Sequence, residues 1–236
     1  MAASWECFDL QRQEFLYEAL KHAGVDTSYL PEVRKGHFLI GKTRDGVPVM
    51  GSIGDNQASL FGSVRDLEDT VLLNVGTGSQ ISFVSEEFVE CGGSVELRPC
   101  TESSYILVGA SLCGGRAYAM LEQFYREVSG TDSGAGSDPS RRGMITGIGV
   151  ENFHPGALTA GVICGILAEL HEQYEQMCKL TGKKATRLAG SGNGIRRNPL
   201  MRKLAEEMFG MPMYVSEYEE EAACGAALCA GKVLTK

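Results

Sequence analysis

The chain has 236 residues, 43% of them hydrophobic and 22% charged, an ordinary globular mixture that suits one large domain or two small ones. Its 22 basic and 30 acidic side chains give a net charge of -8 with no Lys/Arg block. That balance argues against duplex DNA or an anionic membrane as partner, while small anions such as nucleotides stay open. The longest weakly polar stretch, 157–168, is broken by Thr159 and two glycines and falls short of the ~18 apolar residues a membrane span needs. With no secretory leader pattern at its start, the chain is expected to be soluble and not exported. The 8 cysteines contain no CxxC pair and the 4 histidines stand apart, so a reduced, cytoplasmic protein without a structural metal is expected.

In chain order, apolar positions Phe8, Phe15, Leu16 and Leu20 predict a helix from Ser4 to Ala23, ended by Gly24. His37–Ile40 and Val47–Ile53 read as short strands around a turn at Thr43–Gly46, and the second runs through Gly54-Asp55 into a helical stretch Asn56–Phe61. Val71–Val75 and Gln80–Val84 are β-rich runs joined by Gly76-Thr77-Gly78-Ser79, a hairpin with a glycine-dependent loop. Tyr105–Ala110 is a further strand, and Gly114-Gly115 opens a helix to Val128. Ser129–Arg142, poor in apolar groups, reads as a solvent loop or a place where residues have been lost. Leu158, Val162, Ile166, Leu170, Tyr174 and Met177 recur at helical spacing and form the core face of a long helix. Thr186–Ala189 is a buried strand, Gly190–Asn198 a polar glycine loop, and Pro199–Phe209 a helix with proline in its first turn. Met213–Val215 and a helix over Glu217–Ala230 repeat the strand-then-helix order, so the distal part is α/β.

Four constellations carry possible chemistry. Asp55 ends a strand beside flexible glycines, followed by Asn56 and Gln57. It is either a general base that accepts a substrate hydroxyl's proton, its amide neighbours orienting other hydroxyls, or a cap on the helix that follows. Gly76-Thr77-Gly78 offers unhindered N–H groups and hydroxyls suited to phosphate oxygens, or is an ordinary hairpin turn; no Gly-Lys-Ser/Thr follows, so it is not a Walker loop. Gly114-Gly115 and Ala189–Gly194 sit where a strand leads into a helix, where backbone donors and the dipole favour an anion, unless the glycines serve close packing. The face Ala222, Gly225, Ala226 and Cys229 is read as packing, and the Glu217–Glu221 run as a solvated helix start.

In this order, Gly54-Asp55-Asn56-Gln57-Ala58, Asn74–Ser79, Gly114-Gly115, Gly190-Ser191-Gly192 through Asn198-Pro199-Leu200, and Glu221–Ala227 resemble the C-terminal half of FGGY-type carbohydrate kinases nearly end to end. Gly109–Gly115 and Gly190-Ser191-Gly192 are most similar to the sedoheptulokinase-like branch. The resemblance implies a ribonuclease-H-like, actin-type ATPase fold, an α/β mixed sheet flanked by helices, with ATP, Mg2+ and a sugar or polyol meeting in a cleft between two domains. It implies Asp55 as catalytic base and Asn56 and Gln57 as sugar contacts. It also implies Gly76, Thr77 and Gly78 as the phosphate turn, Gly114 and Tyr118 as nucleotide contacts, and Gly190, Ser191, Gly192 and Asn198 as the adenosine-side loop.

Three departures from the family pattern stand out. No Asp-Gly-Thr-type phosphate motif precedes Asp55, so 1–46 are expected to be the tail of the family's N-terminal domain and 47–236 the C-terminal nucleotide-binding kinase domain of a longer chain. The stretch before Asp138–Gly143 is short for the family, and Ala160-Gly161 and Cys164 replace the usual Arg-Ala and Glu. Two other readings accompany the kinase: a non-catalytic nucleotide-dependent regulator of the same fold, and a structural module without nucleotide. The identity of the sugar and the oligomeric state are left open.

Overall fold

The computed structural model describes residues 2–111, 114–129 and 146–234. A 3-10 turn at Ala2–Trp5 leads into two minimal strands, β1 (Phe8–Asp9) and β2 (Glu14–Phe15), and a short helix, α1 (Tyr17–His22). The single helix expected over Ser4–Ala23 is therefore replaced by a hairpin in its first part and kept as α1 only over Tyr17–His22. The reason is local: the Asp9 carboxylate accepts the N–H groups of both Gln11 and Arg12 at 2.9 Å, and Glu6 and Gln13 adopt positive φ of 60° and 57°. Trp5, Phe8 and Tyr17 then close around the buried ring of Phe15. β3 (Leu39–Lys42) and β4 (Pro48–Met50) form the second small hairpin, at the place the sequence predicts.

After α2 (Asp55–Ser63) come β5 (Thr70–Val75), β6 (Ser79–Ser85), β7 (Val95–Pro99) and β8 (Tyr105–Ser111). Helices α3 (Gly115–Val128) and α4 (Pro155–Thr181) follow, then β9 (Arg187–Ser191), α5 (Gly192–Arg197), α6 (Pro199–Phe209), β10 (Met213–Val215) and α7 (Glu221–Leu234). Six strands make one sheet in the order β10-β9-β5-β6-β8-β7, with β10, β9 and β5 parallel and β6, β8 and β7 antiparallel. The predicted fold class is thus the observed one. β5 is its axis, and alternation decides where its side chains go: Val71, Leu73 and Val75 face the α4 and α6 side, while Leu72 joins Leu60 and Val64 on the α2 side.

Helix α4 starts at Pro155 with the His154 ring accepting the Ala157 N–H, and stops where Gly182 turns left-handed at φ 67°. Its buried stripe holds the expected Ile166, Leu170, Tyr174 and Met177, joined by Ile163 and Leu167, whereas Leu158 and Val162 are only half-buried. Residues 190–198 are not the expected loop. β9 runs on through Ser191, Gly192 turns the chain at φ +78°, and Ile195, fully buried, docks the short helix α5 onto the sheet. α7 begins at Glu221, later than expected. Its face packs as read: Gly225 lies directly on the Ala58 carbonyl and the Gly62 N–H of α2, a backbone contact with no room for a side chain. β7 carried no sequence expectation. Leu112, Cys113 and the predicted loop beyond Ser129, through Asp138–Gly143, lie outside the described residues.

Seven described cysteines are free thiols, and burial pushes that of Cys100 up to about 12. Among the described residues no helix is long and apolar enough to cross a membrane.

Candidate active site

Because β5 and β9 are parallel neighbours in register, Asn74 opposite Ser191, they end at the same edge of the sheet and the turns that follow lie side by side. Gly76-Thr77-Gly78 closes the β5–β6 hairpin with the Gly76 N–H on the Gly78 carbonyl at 2.9 Å. Gly192 and Gly194 of α5 press against the end of β5, where a Cβ on either would come within 2.6 Å or 2.7 Å of the Val75 carbonyl oxygen. From the opposite side α3 is stitched to the same turn: the Gly115 N–H donates to the Gly76 carbonyl at 2.8 Å and the Arg116 N–H to the Thr77 carbonyl at 3.2 Å. A Cβ on Gly114 would meet the Gly78 backbone at 2.5 Å. The glycines therefore serve both readings at once, since close packing is what builds the hollow.

Above these turns opens a cleft of about 1530 Å³. Gly76, Thr77, Gly115, Gly192 and Gly194 form its base, Arg116, Tyr118 and Glu122 of α3 one wall, and Arg196, Arg197, Asn198 and the Glu219–Glu221 run the other. Of the expected nucleotide-side residues, Gly76, Thr77, Tyr118, Gly192 and Asn198 line it. Gly78 and Gly114 face each other instead, and Gly190 and Ser191 belong to the strand, with the Ser191 hydroxyl wholly buried and without a partner. The Asn198 side chain accepts the Met201 N–H at 3.0 Å and so caps α6. The expectation that the α3 terminus offers its first amides to an anion is corrected in part, because the Gly115 and Arg116 N–H groups are donated to the turn carbonyls.

Asp55 stands elsewhere. Gly54 is the N-cap of α2, and Asp55 occupies the first helical position, exposed, with Oδ1 accepting its neighbour Asn56's N–H at 2.8 Å. A carboxylate there is favoured by the helix dipole. Gln57 donates from Nε2 to the Pro99 carbonyl at 2.8 Å, tying α2 to the end of β7. It lines a smaller hollow of about 130 Å³ with Gly54, Arg34, His37 and Thr101, whereas Asp55 and Asn56 line neither. Among the described residues no three His, Cys, Asp or Glu side chains converge to hold a metal ion. The described side chains build no cage for Mg2+, an ion that keeps several waters and takes its remaining ligands from substrate phosphates.

Sequence reasoning missed Arg116, Arg196 and Arg197, and it misread Glu221 as solvated. Glu221 is buried and paired with Arg196 at 2.7 Å, a meeting of two residues 25 apart that no local pattern announces.

The mixed sheet flanked by helices is that of the actin-type ATPase fold class. The model of the FGGY family of carbohydrate kinases, C-terminal domain, matches residues 116–233, and the chain belongs to that family. It is 25% identical to human (Homo sapiens) sedoheptulokinase over 271 aligned residues, covering 96% of this chain and 56% of that protein. Xylulose kinase from Lactobacillus acidophilus superposes with a TM-score of 0.84 at 19% identity, covering 100% of this chain and 55% of that one. Plasmodium falciparum glycerol kinase with ADP gives a TM-score of 0.79 at 19% identity over 97% and 53%. The chain spans about half the length of the relatives it matches. The family match starts at Arg116, so Asp55 and the Gly76 turn lie ahead of it.

Proposed function

We propose that this chain is the nucleotide-binding, base-bearing part of an ATP-dependent sugar or polyol kinase. The observation that carries the reading is the glycine-floored cleft where β5 and β9 end, walled by three arginines, in a chain of the FGGY family. Backbone brought that close without Cβ atoms suits phosphate oxygens, and Arg116 and Arg197 supply positive charge, Arg196 being paired with Glu221. Asp55 takes the proton of the attacking hydroxyl as its oxygen bonds to the terminal phosphorus of ATP. The bond to the bridging oxygen breaks and ADP leaves. Catalysis of this kind is positioning and electrostatic stabilisation, and bound Mg2+ adds charge neutralisation at the phosphates.

In this reading residues 1–46 complete a preceding domain that brings most sugar contacts, and 47–236 form the nucleotide domain. The relatives' names point to a ketose such as sedoheptulose or xylulose, or to glycerol, as acceptor. The free thiols suit a cytoplasmic location. Two measurements test the proposal. Calorimetric titration of Mg-ATP into this chain is expected to give saturable one-site binding, and its absence would count against the cleft. In the full-length protein, Asp55→Asn is expected to lower turnover by on the order of a thousandfold while ATP affinity stays similar. Retained turnover would remove Asp55 from the role.

A further inference from the structure

Arg196 and Glu221 form the least exposed ion pair among the described residues, with side chains 19% and 11% exposed. The guanidinium gives the Glu221 carboxylate two hydrogen bonds, from Nη2 at 2.7 Å and from Nε at 3.3 Å, and Nη2 also donates to the Tyr218 carbonyl. Arg196 lies in the last turn of α5, the helix whose Gly192 and Gly194 form the base of the cleft. Glu221 is the first residue of α7, which cannot slide because Gly225 sits on the α2 backbone. α5 is otherwise held by Ile195 beneath it, by Gly192 and Gly194 against the end of β5, and by Arg202 on its last carbonyls. None of those ties it to α7, whose first residue shares its wall of the cleft.

We infer that Arg196 and Glu221 are a positioning pair: they lock the α5 ledge to α7, and through α7 to α2 and its Asp55, so that the glycine base of the cleft keeps the geometry a nucleotide's phosphates require. The inference rests on the nucleotide reading of the cleft. It departs from a simple charge account in sign. By charge alone, removing a carboxylate from the wall of a polyanion site tightens binding. A positioning role demands the reverse.

The test is calorimetric titration of Mg-ATP into the wild-type chain, Glu221→Gln, Arg196→Lys and the exchanged pair Arg196→Glu/Glu221→Arg, with thermal unfolding to verify that each is folded. Glu221→Gln is expected to weaken binding about tenfold, and Arg196→Lys, which keeps the charge but loses the planar two-point link, by roughly threefold or more. The exchanged pair, which restores an ion pair across the same two helices, is expected to recover affinity to within about threefold of wild type. Folded Glu221→Gln that binds ATP as tightly as wild type, or more tightly, overturns the inference and leaves the nucleotide reading intact. So does an Arg196→Lys chain with unchanged affinity, which stays decisive should Glu221→Gln not fold. A wild-type chain that binds no ATP overturns both.

Discussion

The first fifty residues and the six-stranded sheet use similar apolar side chains and reach opposite degrees of burial. In β5, β6 and β8 nearly every position is buried, and Leu73, Ile81, Phe83 and Leu107 are wholly inaccessible. Among the described residues before Met50 only Phe15 is buried, while Trp5 is 54% exposed, Tyr29 87%, Ile40 62% and Val47 58%. The difference is architectural. β5 has hydrogen-bonded neighbours on both edges and helices over both faces, so alternation sends every side chain into a core. β1 and β2 are two residues long, β3 and β4 four and three, and each pair is a separate two-stranded sheet that has no second layer to close on. Hydrophobicity alone does not bury a side chain; a partner surface does. In the kinase reading, that surface for residues 5–49 belongs to the preceding domain.

Substitutions in the two regions put this contrast under stress. The largest effect is expected where helices touch backbone to backbone. Gly225→Val drives a side chain into the Ala58 carbonyl and should cost more than about 4 kcal/mol, read as loss of a cooperative thermal transition. A folded variant would mean that α2 and α7 can part without consequence. Next comes the same truncation made in each region. Phe83→Ala in β6 should lower unfolding free energy by about 3–5 kcal/mol, whereas Phe15→Ala should lower the global value by less than about 1.5 kcal/mol and act mainly on the hairpin. Equal losses in denaturant titrations would show that the first fifty residues fold as one unit with the sheet.

The smallest effect sharpens the sheet side. Asp69 accepts from the Thr186 hydroxyl at 2.8 Å and from Thr70, and pairs with Arg187, joining the starts of β5 and β9. The Thr186 hydrogen bond, first among these partners, holds its carboxyl below the usual carboxylate value. A depressed folded value means the stabilisation is complete above the unfolded value, about 4, and is lost as pH falls through the folded one. Unfolding midpoints should therefore drop on acidification below about pH 4 less steeply in Asp69→Asn than in wild type. Parallel curves would assign the link between the strands to the backbone alone.

How much of this was legible in the sequence follows from the same physics. The β5–β6 hairpin and α6 are written locally: alternating Val, Leu and Ile around a glycine turn, and Asn198 and Pro199 opening a helix that Gly210 closes at φ 64°. Residues 4–23 misled because aromatic residues at helical spacing also suit a hairpin once Asp9 captures two backbone amides. At the site, Gly192 was readable because its left-handed backbone needs glycine, and Gly76 and Thr77 because they sit in the turn between two β-rich runs. The arginines were not, since Arg116 of α3 comes to face Arg196 and Arg197 of α5 only across the folded cleft. Asp55 was legible as a residue at a helix start, and its place outside the lining of both hollows was not.

The parallel pairing of β5 with β9 has a temporal corollary. Val75 and Gly192, which touch in the finished cleft, leave the ribosome far apart in time, and β6, β7, β8, α3 and α4 are made between them. A nascent chain that ends anywhere before α5 therefore carries the Gly76 turn with no ledge opposite it. Pairing of such distant strands is slow because the intervening loop must be closed first. Assembly of the cleft is thus a late event in the life of each molecule, and a translation pause placed before residue 192 would separate the birth of the hairpin from the birth of the cleft.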